Sequence, residues 1–144
     1  RPLGKLTVVN CASPHYLTRF GYPQSPDDLT SHAIVRYTPH LGVHPLGFEV
    51  ASVNGVQWFK SGGMLTVNSR ENYLAAGLAG LGIIQIPRIA VREALRAGRL
   101  IEVLPGYRAE PLSLSLIYPQ RRELSRRVNL FMQWLAGVMK EYLD

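Results

Sequence analysis

The clearest hydrophobic pattern of the chain lies in residues 67–87, where helical spacing gives way to an unbroken apolar run. Leucines recur there at the intervals that place side chains on one helix face: Leu74, Leu78 and Leu81. The run from Ile83 to Ile86 follows, and a short apolar run of this kind is typical of a strand covered on both faces. The pattern therefore predicts a helix followed directly by a buried strand.

Polar residues and glycines mark the two ends of this predicted helix. Asn68 is expected to cap its start, and Glu71, three residues later, suits the partner position of a capping box. Gly80 and Gly82 are expected to end it, because the backbone there needs a positive φ or a close approach to a neighbour. Ser69, beside the expected cap, also lies at the helix start.

The rest of the chain alternates between strand-like and helix-like segments. Further strands are predicted at residues 5–11, 33–37, 48–53, 56–60, 64–67, 100–104 and 112–118. Short helices are predicted after the Ser13-Pro14 pair, at 26–29 and at 88–97. Asn54-Gly55, between two strands, favours a hairpin with a type I′ turn. This alternation predicts an α/β fold with a mainly parallel sheet and one antiparallel hairpin.

The last predicted helix is amphipathic. Ser125 is expected to cap its start, because serine is a preferred N-cap residue. Its apolar stripe comprises Val128, Phe131, Leu135, Met139 and Tyr142. The polar residues of the segment lie on the other faces of the helix, so the segment predicts one apolar face.

Composition narrows the function classes. The 144 residues suit one domain, and the apolar fraction of 47% is enough for a sizeable core. No apolar run reaches the length of about 18 residues that a membrane-spanning helix requires, and no signal-peptide pattern opens the chain. Cys11 is the only cysteine, which excludes an internal disulfide and a thiolate metal site. It is expected to be a small buried residue rather than a redox sensor.

Neither the net charge nor the candidate catalytic residues indicate a further class of function. A net charge of +6 would suit an anionic partner, but the basic residues are scattered and no helix-turn-helix pattern accompanies them. His40 and His44 share a loop without a cysteine or carboxylate to support them, so no metal site and no cofactor are predicted. Ser61 lacks the context of a nucleophile elbow, and the glycines at 80 and 82 do not open a dinucleotide-binding helix. An enzyme is therefore not expected.

Four blocks of the chain, in order, resemble the effector-binding domain of LysR-type transcriptional regulators. They are residues 8–17 (VVNCASPHYL), 27–37, 65–100 with its Gly-Leu-Gly-Ile turn, and 111–131. The resemblance implies a lobe like those of type 2 periplasmic binding proteins, with a Rossmann-like mixed sheet flanked by helices. It implies that residues 1–104 form the second lobe, and that residues 105–144 supply the returning strand and C-terminal helix of the first lobe. The N-terminal DNA-binding domain of the family is expected to be absent from this chain. Because part of the first lobe is expected to be absent from this chain, part of the usual cover of the apolar face of the last helix is expected to be absent too.

Candidate ligand contacts lie at a strand end and at a helix start, where open α/β sheets bind their ligands. Asn68 and Ser69 stand at the start of the predicted helix, whose free N–H groups and dipole favour an anion. Plain helix capping is the alternative. Arg36, Tyr37 and Thr38 end a predicted strand, where the second lobe of the LysR-type family lines its ligand cleft. Arg36 would pair with an acid and the two hydroxyls would donate hydrogen bonds, although a plain strand-edge surface is the other interpretation.

The resemblance implies an effector sensor in a cytoplasmic, bacterial regulator. A small molecule, anionic or aromatic, would bind between two lobes of a homo-oligomer, which is a dimer or tetramer in the full-length protein. It would change how the attached DNA-binding domains contact a promoter, provided that it binds one arrangement better than the other. Two alternatives share the fold: a periplasmic solute-binding protein for transport, which an upstream signal peptide would indicate, and a small-molecule enzyme.

Overall fold

The computed structural model describes residues 1–40, 42, 47–118 and 125–143, with Met64 described by its backbone alone. These residues form two compact units. The large unit is Val8–Glu110, and the small unit combines Arg1–Thr7 with Pro111–Asp144. The chain therefore passes from one unit to the other twice, after Thr7 and after Glu110.

Strands and helices alternate along the large unit, as the hydrophobic pattern predicts. The strands of the chain are β1 (Pro2–Leu6), β2 (Val8–Ala12), β3 (Ala33–Tyr37), β4 (Phe48–Ser52), β5 (Gly55–Phe59), β6 (Gly62–Val67), β7 (Ile84–Pro87), β8 (Ile101–Glu102) and β9 (Leu112–Ser115). The α-helices are α1 (Pro14–Phe20), α2 (Arg70–Leu78), α3 (Arg88–Arg96) and α4 (Arg126–Met139). Short 3₁₀-helices occupy Pro26–Ser31 and Lys140–Tyr142. The last two strands, β8 and β9, are shorter than predicted.

The central sheet of the large unit follows the order β6-β3-β7-β2-β8. β3 and β6 are parallel, and an isolated parallel bridge between Ile34 and Ile83 joins β3 to the start of β7. β2 runs antiparallel to both of its neighbours, β7 and β8. The sheet is therefore mixed, as the resemblance implies. β6, β3, β7 and β8 run in one direction and β2 runs opposite to them, so the predicted mainly parallel sheet contains one antiparallel strand that the hydrophobic pattern did not indicate.

The strand predicted at residues 5–11 is two strands that belong to different units. β1 pairs antiparallel with β9, whereas β2 pairs with β7 and β8. The break falls at Thr7, where the chain passes between the units. Thr7 is β-branched and is followed by two valines, so its local sequence favours a continuous strand.

The sheet separates two hydrophobic clusters, because successive side chains of a strand point to opposite faces. One cluster packs α2 and α3 against the sheet and includes Val9, Cys11, Val35, Ile84 and Ile86. The other packs α1 and β4 against it and includes Ala12, Tyr16, Ile34, Phe48 and Ile83. The apolar run from Ile83 to Ile86 thus contributes to both clusters, which confirms the prediction of a strand covered on both faces.

Helix α2 begins one residue later than predicted. Ser69, with φ of −123° and ψ of 144°, is its N-cap, and its Oγ accepts a hydrogen bond from the Asn72 N–H at 3.1 Å. The predicted cap at Asn68 is therefore wrong, and Glu71 falls at the second helical position, one short of the capping-box position. Serine and asparagine are both good N-caps, so residue type does not choose between adjacent candidates.

Glycines follow α2 as predicted, but the buried face of the helix differs. Gly80 has a φ of +77°, and a Cβ on Gly82 would lie 2.6 Å from the Ala33 carbonyl oxygen. Leu81 lies beyond the helix and is 55% exposed, so it does not continue the leucine face. The buried residues of α2 are Tyr73, Ala76 and Gly77.

The predicted hairpin forms, but with a different turn. β4 and β5 pair antiparallel with Ser52 opposite Gly55, which leaves Val53 and Asn54 as the turn. Among the described residues, Leu104 is the only non-glycine with a positive φ, so Asn54 lacks the conformation that a type I′ turn requires. Gly55, with a φ of +107°, takes the positive angle instead.

In the small unit, β1 and β9 form a two-stranded antiparallel sheet, and α4 follows. Ser125 caps α4 as predicted, because its Oγ accepts from the Val128 N–H at 3.4 Å. Met132 is the buried residue of α4, while Phe131 and Trp134 are 58% and 60% exposed. The apolar stripe is therefore only partly covered by the described residues, as expected, because they supply only a two-stranded sheet to this unit.

Candidate functional site

The strand order marks the place where a ligand crevice is expected. From β3 the chain continues to β6 on one side and then to β7 on the other, so the order reverses beside β3. In open α/β sheets, ligands bind at such switch points, beyond the carboxyl ends of the strands. We call this place the β3/β7 crevice: Tyr37 and Thr38 lie on its β3 side, and residues 85–87 lie on its β7 side.

The backbone hydrogen bonds between β3 and β7 end where this crevice begins. Before it, the Ile83 N–H donates to the Ala33 carbonyl at 2.9 Å, and the Val35 N–H donates to the Ile83 carbonyl at 3.0 Å. The next N–H that β7 directs towards β3 is that of Gln85, and it donates to the Tyr73 hydroxyl oxygen at 2.8 Å. A hydroxyl from α2 thus replaces a backbone carbonyl, and the ladder between the two strands stops at this level.

Two of the predicted ligand contacts, Tyr37 and Thr38, lie on the β3 side of the crevice. Tyr37 is 39% exposed, and its ring centroid lies 5.7 Å from that of Tyr73. Thr38 is buried, and its Oγ1 donates to the His40 carbonyl at 2.8 Å. The Thr38 N–H donates to the Val67 carbonyl at 2.9 Å, so the ends of β3 and β6 are neighbours.

Asn68 and Ser69 lie where β6 gives way to α2. The Ser69 Oγ is used as the N-cap of the helix, whereas Asn68 is exposed. Tyr37 pairs with Val67 in the parallel β3–β6 ladder, so the strand-end and helix-start candidates meet at one edge of the sheet. Anion binding at the α2 start stays a prediction, because capping alone accounts for Ser69.

Arg36 lies on the opposite face of β3 from Tyr37, since adjacent side chains of a strand alternate. Its Nη2 donates to the Ser61 carbonyl at 3.0 Å, and its Nε lies 3.3 Å from the position of a Cβ on Gly63. That Nε is buried and has no hydrogen-bond partner among the described residues. The structure therefore does not bring Arg36 to the ring face of Tyr37, and its role as the charge partner of an acid stays a prediction.

Three polar residues that support the crevice are not among the predicted ligand contacts: Tyr73, Gln85 and Asn10. Tyr73 is buried on α2, and burial raises the pKa of its hydroxyl to about 12. Gln85 Nε2 donates to Asn10 Oδ1 at 2.9 Å, which joins β7 to β2. The available signal was one amide residue within each of two otherwise apolar runs, VVNCA and IIQIP.

Two further titratable groups of the large unit are Cys11, which is buried, and Glu102, which is paired. Cys11 is a free, fully buried cysteine, and burial, with a smaller effect of the Glu102 carboxylate, raises the pKa of its thiol to about 12. This matches the predicted small buried residue. Glu102 accepts hydrogen bonds from Arg88 Nη2 at 2.9 Å and from Arg108 Nε at 2.8 Å.

An open cleft of about 230 Å³ lies elsewhere on the large unit, lined by residues 22–24 and 102–107. None of the predicted ligand contacts lines it. Within residues 1–40, 42, 47–118 and 125–143, acidic, histidine and cysteine side chains do not gather into a group of three that could hold a metal ion. His44 lies outside the described residues. In the same described part of the chain, the helices are too short or too polar to cross a membrane.

Comparison with known proteins agrees with this architecture. The model of the LysR substrate binding domain matches residues 1–140. The whole chain is 97% identical to the HTH-type transcriptional regulator YhjC of Escherichia coli K12, and 89% of it is 36% identical to an HTH-type transcriptional regulator of Haemophilus influenzae. It covers 48% and 44% of these two proteins, so the chain spans about half the length of the curated relatives it matches.

A solved structure has the same fold. The regulatory domain of CrgA, a LysR-type transcriptional regulator from Neisseria meningitidis, matches with a TM-score of 0.76 at 24% identity, over 96% of this chain and 67% of that chain. The predicted α/β lobe of the type 2 periplasmic-binding-protein kind is thereby confirmed. The relatives are named as transcriptional regulators, which favours a regulator over a transport protein. The chain belongs to the LysR substrate binding domain family.

Proposed function

We propose that this chain is the effector-sensing part of a LysR-type, DNA-binding transcriptional regulator. A small molecule binds in the β3/β7 crevice and controls transcription allosterically. The observation that carries the proposal is the end of backbone pairing between β3 and β7, where the Tyr73 hydroxyl takes the place of a backbone partner for Gln85. An opening at the switch point of the sheet is where a fold of this class receives its ligand.

The residues around the crevice suit a ligand that is anionic or aromatic, or both. Tyr37 offers a partly exposed ring that would stack on a ligand ring. The first turn of α2, after Asn68 and Ser69, offers backbone N–H groups to a carboxylate. Arg36 would add a positive charge if its guanidinium, which now donates to the Ser61 carbonyl, turned towards the ligand.

Control by such a ligand is a matter of differential binding. The ligand must bind one arrangement of the protein better than another, and it need not be converted, so we assign no catalytic role to this chain. We assign DNA contact to an N-terminal domain of the full-length protein, which would act in the cytoplasm as a homo-oligomer, a dimer or a tetramer.

Within the full-length protein we assign this chain to two lobes. Residues 1–104 would form the second lobe, and residues 105–144 would supply the returning strand and helix of the first; the compact units differ from these bounds at Arg1–Thr7, which lies in the small unit, and at residues 105–110, which lie in the large one. The β3/β7 crevice belongs to the large unit alone, so its side chains can be tested there without reference to the other lobe.

A binding measurement on the native protein tests the proposal. A panel of carboxylates, beginning with benzoate as an aromatic member and succinate as an aliphatic one, is titrated by calorimetry and thermal shift. A ligand at 100 times its Kd should stabilise the folded protein by about 2.7 kcal/mol. We expect Tyr37→Ala to weaken the binding of a panel member roughly tenfold, because it removes an aromatic contact and a hydroxyl.

Tyr22→Ala is the matched control for this experiment. Tyr22 is 54% exposed and lines the separate cleft rather than the crevice. Its removal should leave the affinity unchanged. An equal loss of affinity in both variants would remove the crevice as the binding site, and a panel that gives no binding at all would contradict the proposed ligand class.

A further inference from the structure

A continuous series of buried or partly buried hydrogen bonds, each involving a side chain, runs from the β3/β7 crevice to the segment that leaves the large unit. We infer that Tyr73, Gln85 and Asn10, which we call the amide relay, couple ligand binding in the crevice to the two ends of the large unit. The ligand in this inference is that of the proposed function, on which it rests. The coupling itself rests on the contacts of the three residues.

At the crevice end, the relay begins beside a pair of tyrosine rings. The partly exposed ring of Tyr37 lies 5.7 Å from the ring of Tyr73, at an interplanar angle of 47°. The Tyr73 hydroxyl accepts the Gln85 N–H at 2.8 Å. A ligand that displaces Tyr37 therefore changes the packing of Tyr73 and, through its hydroxyl, the position of Gln85 on β7.

In the middle of the relay, two side-chain amides use all of their polar atoms. Gln85 Nε2 donates to Asn10 Oδ1 at 2.9 Å and to the Glu49 carbonyl at 2.8 Å, while its Oε1 accepts from the Glu49 N–H at 3.0 Å. Asn10 is fully buried, and its Nδ2 donates to the carbonyls of Leu104 and Tyr107 at 3.3 and 2.9 Å. Reversing either amide would set donor against donor, so a movement of one side chain requires a movement of the other.

At the other end of the relay, which we call the exit end (residues 103–110), Asn10 holds a strained residue. Leu104 is buried and has a φ of +47°, which is unique among the described non-glycine residues. Its carbonyl accepts from Asn10 Nδ2 and from the Tyr107 N–H at 2.9 Å. A strained conformation persists only where its surroundings over-determine it, so loosening Asn10 releases Leu104.

A second branch reaches the same exit segment through Glu49. Gln85 holds the backbone of Glu49 on both its N–H and its carbonyl, and the Glu49 Oε1 accepts from the Glu110 N–H at 2.9 Å. Glu110 is the last residue of the large unit, and Asn10 lies two residues after its first, Val8. The relay therefore ends at both places where the chain crosses the unit boundary.

The relay allows two arrangements of the protein, and a ligand would bind one of them more tightly than the other. In one, Asn10 holds Leu104 in its strained conformation; in the other, residues 103–110 are released. A two-state element that both sites bias is what physical coupling requires. Linkage makes the effect reciprocal, so a change at residues 103–110 should alter affinity in the crevice by the same factor.

Hydrogen exchange on the native protein tests the coupling with no ligand present. Tyr73→Phe removes a single oxygen atom from the crevice end of the relay. We expect the amides of Ala51, Val103 and Tyr107 to exchange roughly twofold to tenfold faster than the global stability of the variant accounts for, as measured by urea unfolding. These amides report on the exit end, because they donate to the carbonyls of Arg108, Asn10 and Leu104.

Tyr16→Phe is the matched control. Tyr16 is also a buried tyrosine whose hydroxyl accepts a backbone N–H, that of Ala33 at 2.9 Å. Its hydroxyl bonds to His32 and Ala33 and to none of the three relay residues, although its ring shares a hydrophobic cluster with Val103 and Leu104. After the same correction for global stability, this variant should leave the three amides unchanged. Gln85→Met, which removes both polar atoms of the central amide, should accelerate the same amides more than Tyr73→Phe does.

Equal exchange in Tyr73→Phe and Tyr16→Phe would overturn the relay, because the crevice end would then be uncoupled from the exit end. This outcome is independent of the proposed ligand, since the experiment contains none. Accelerated exchange together with a carboxylate panel that fails to bind would leave the relay in place and contradict the proposed function instead.

Discussion

The two ends of β3 lie in one sheet but are closed in different ways. At the amino end, the Ala33 N–H donates to the Tyr16 hydroxyl at 2.9 Å, and the same hydroxyl lies 2.9 Å from His32 Nδ1. Gly82 approaches so closely that a Cβ there would lie 2.6 Å from the Ala33 carbonyl oxygen. Backbone contacts and a buried side-chain pair therefore fill the amino end.

At the carboxyl end, side chains take over from backbone pairing. The Tyr73 hydroxyl receives the N–H that β7 would otherwise donate to β3, and Tyr37 beside it is partly exposed. Side chains adjust to a ligand more readily than a backbone ladder does, because they change rotamer without breaking the sheet. The same strand is therefore fixed at one end by backbone packing and left adjustable at the other.

The largest expected effect comes from breaking the close contact at the amino end. Gly82→Ala would place a Cβ 2.6 Å from the Ala33 oxygen and 3.0 Å from its carbonyl carbon, at a φ of +157°. Neither backbone can give way without disturbing the bridge between β3 and β7. We expect the free energy of unfolding, measured in urea, to fall by about 3 kcal/mol.

Gly106→Ala provides the comparison for this variant. A Cβ on Gly106 would meet nothing within 4 Å, so this glycine of the same unit has room for a methyl group. Its replacement should change stability by less than about 0.5 kcal/mol. If the two alanine variants were equally stable, the amino end would not be as tightly closed as the contact between Gly82 and Ala33 indicates.

A smaller loss is expected at the carboxyl edge of the sheet. Ser69→Ala removes the acceptor of the Asn72 N–H, which lies 3.1 Å from the Ser69 Oγ, and should cost about 1 kcal/mol of unfolding free energy. Asn68→Ala, one residue earlier at an exposed position, should cost less than about 0.5 kcal/mol. Thermal unfolding of both variants compares the two losses of stability. A larger loss for Asn68→Ala would show that Asn68 is the N-cap of α2, as the sequence predicts.

Local sequence predicted elements better than it predicted their partners. The leucine and glycine spacing of residues 67–87 specified a helix and a buried strand, because both depend on neighbours along the chain. The direction of β2 and the break at Thr7 depend instead on pairing with β7, β8 and β9, which lie some 70 or more residues away. The residues next to Thr7 in the sequence do not indicate which strands β1 and β2 pair with.

The candidate site shows the same limit. Strand-end placement brought Tyr37, Thr38 and Asn68 to one edge of the sheet, because that edge follows from fold class. The period of two along β3 could also have separated Arg36 from Tyr37. The roles of Asn10 and Gln85 could not be predicted from their neighbours along the chain, because each side-chain amide bonds to the other on a different strand.

The smallest expected effect is a pH dependence at the amino end. Burial lowers the pKa of His32 from its ordinary value of 6.5, and the Asp28 carboxylate opposes that shift, so the two causes partly cancel. Because the folded pKa lies below the unfolded one, the unfolded chain takes up the proton first. The stabilising contribution of the neutral ring is therefore fully present above about pH 6.5 and is lost as the pH falls through the folded pKa.

Protonation also reverses the hydrogen bond between His32 Nδ1 and the Tyr16 hydroxyl, which lie 2.9 Å apart. An unprotonated Nδ1 can accept the O–H, whereas a protonated one must donate to a hydroxyl oxygen that already accepts the Ala33 N–H. His32→Asn keeps an acceptor oxygen near the position of Nδ1 and does not titrate, so it isolates the contribution of the ring. Unfolding midpoints measured from about pH 7.5 to about pH 5 should decline more in the native protein than in this variant. Parallel declines would assign the pH dependence to other groups, and would leave the amino end held by its backbone contacts alone.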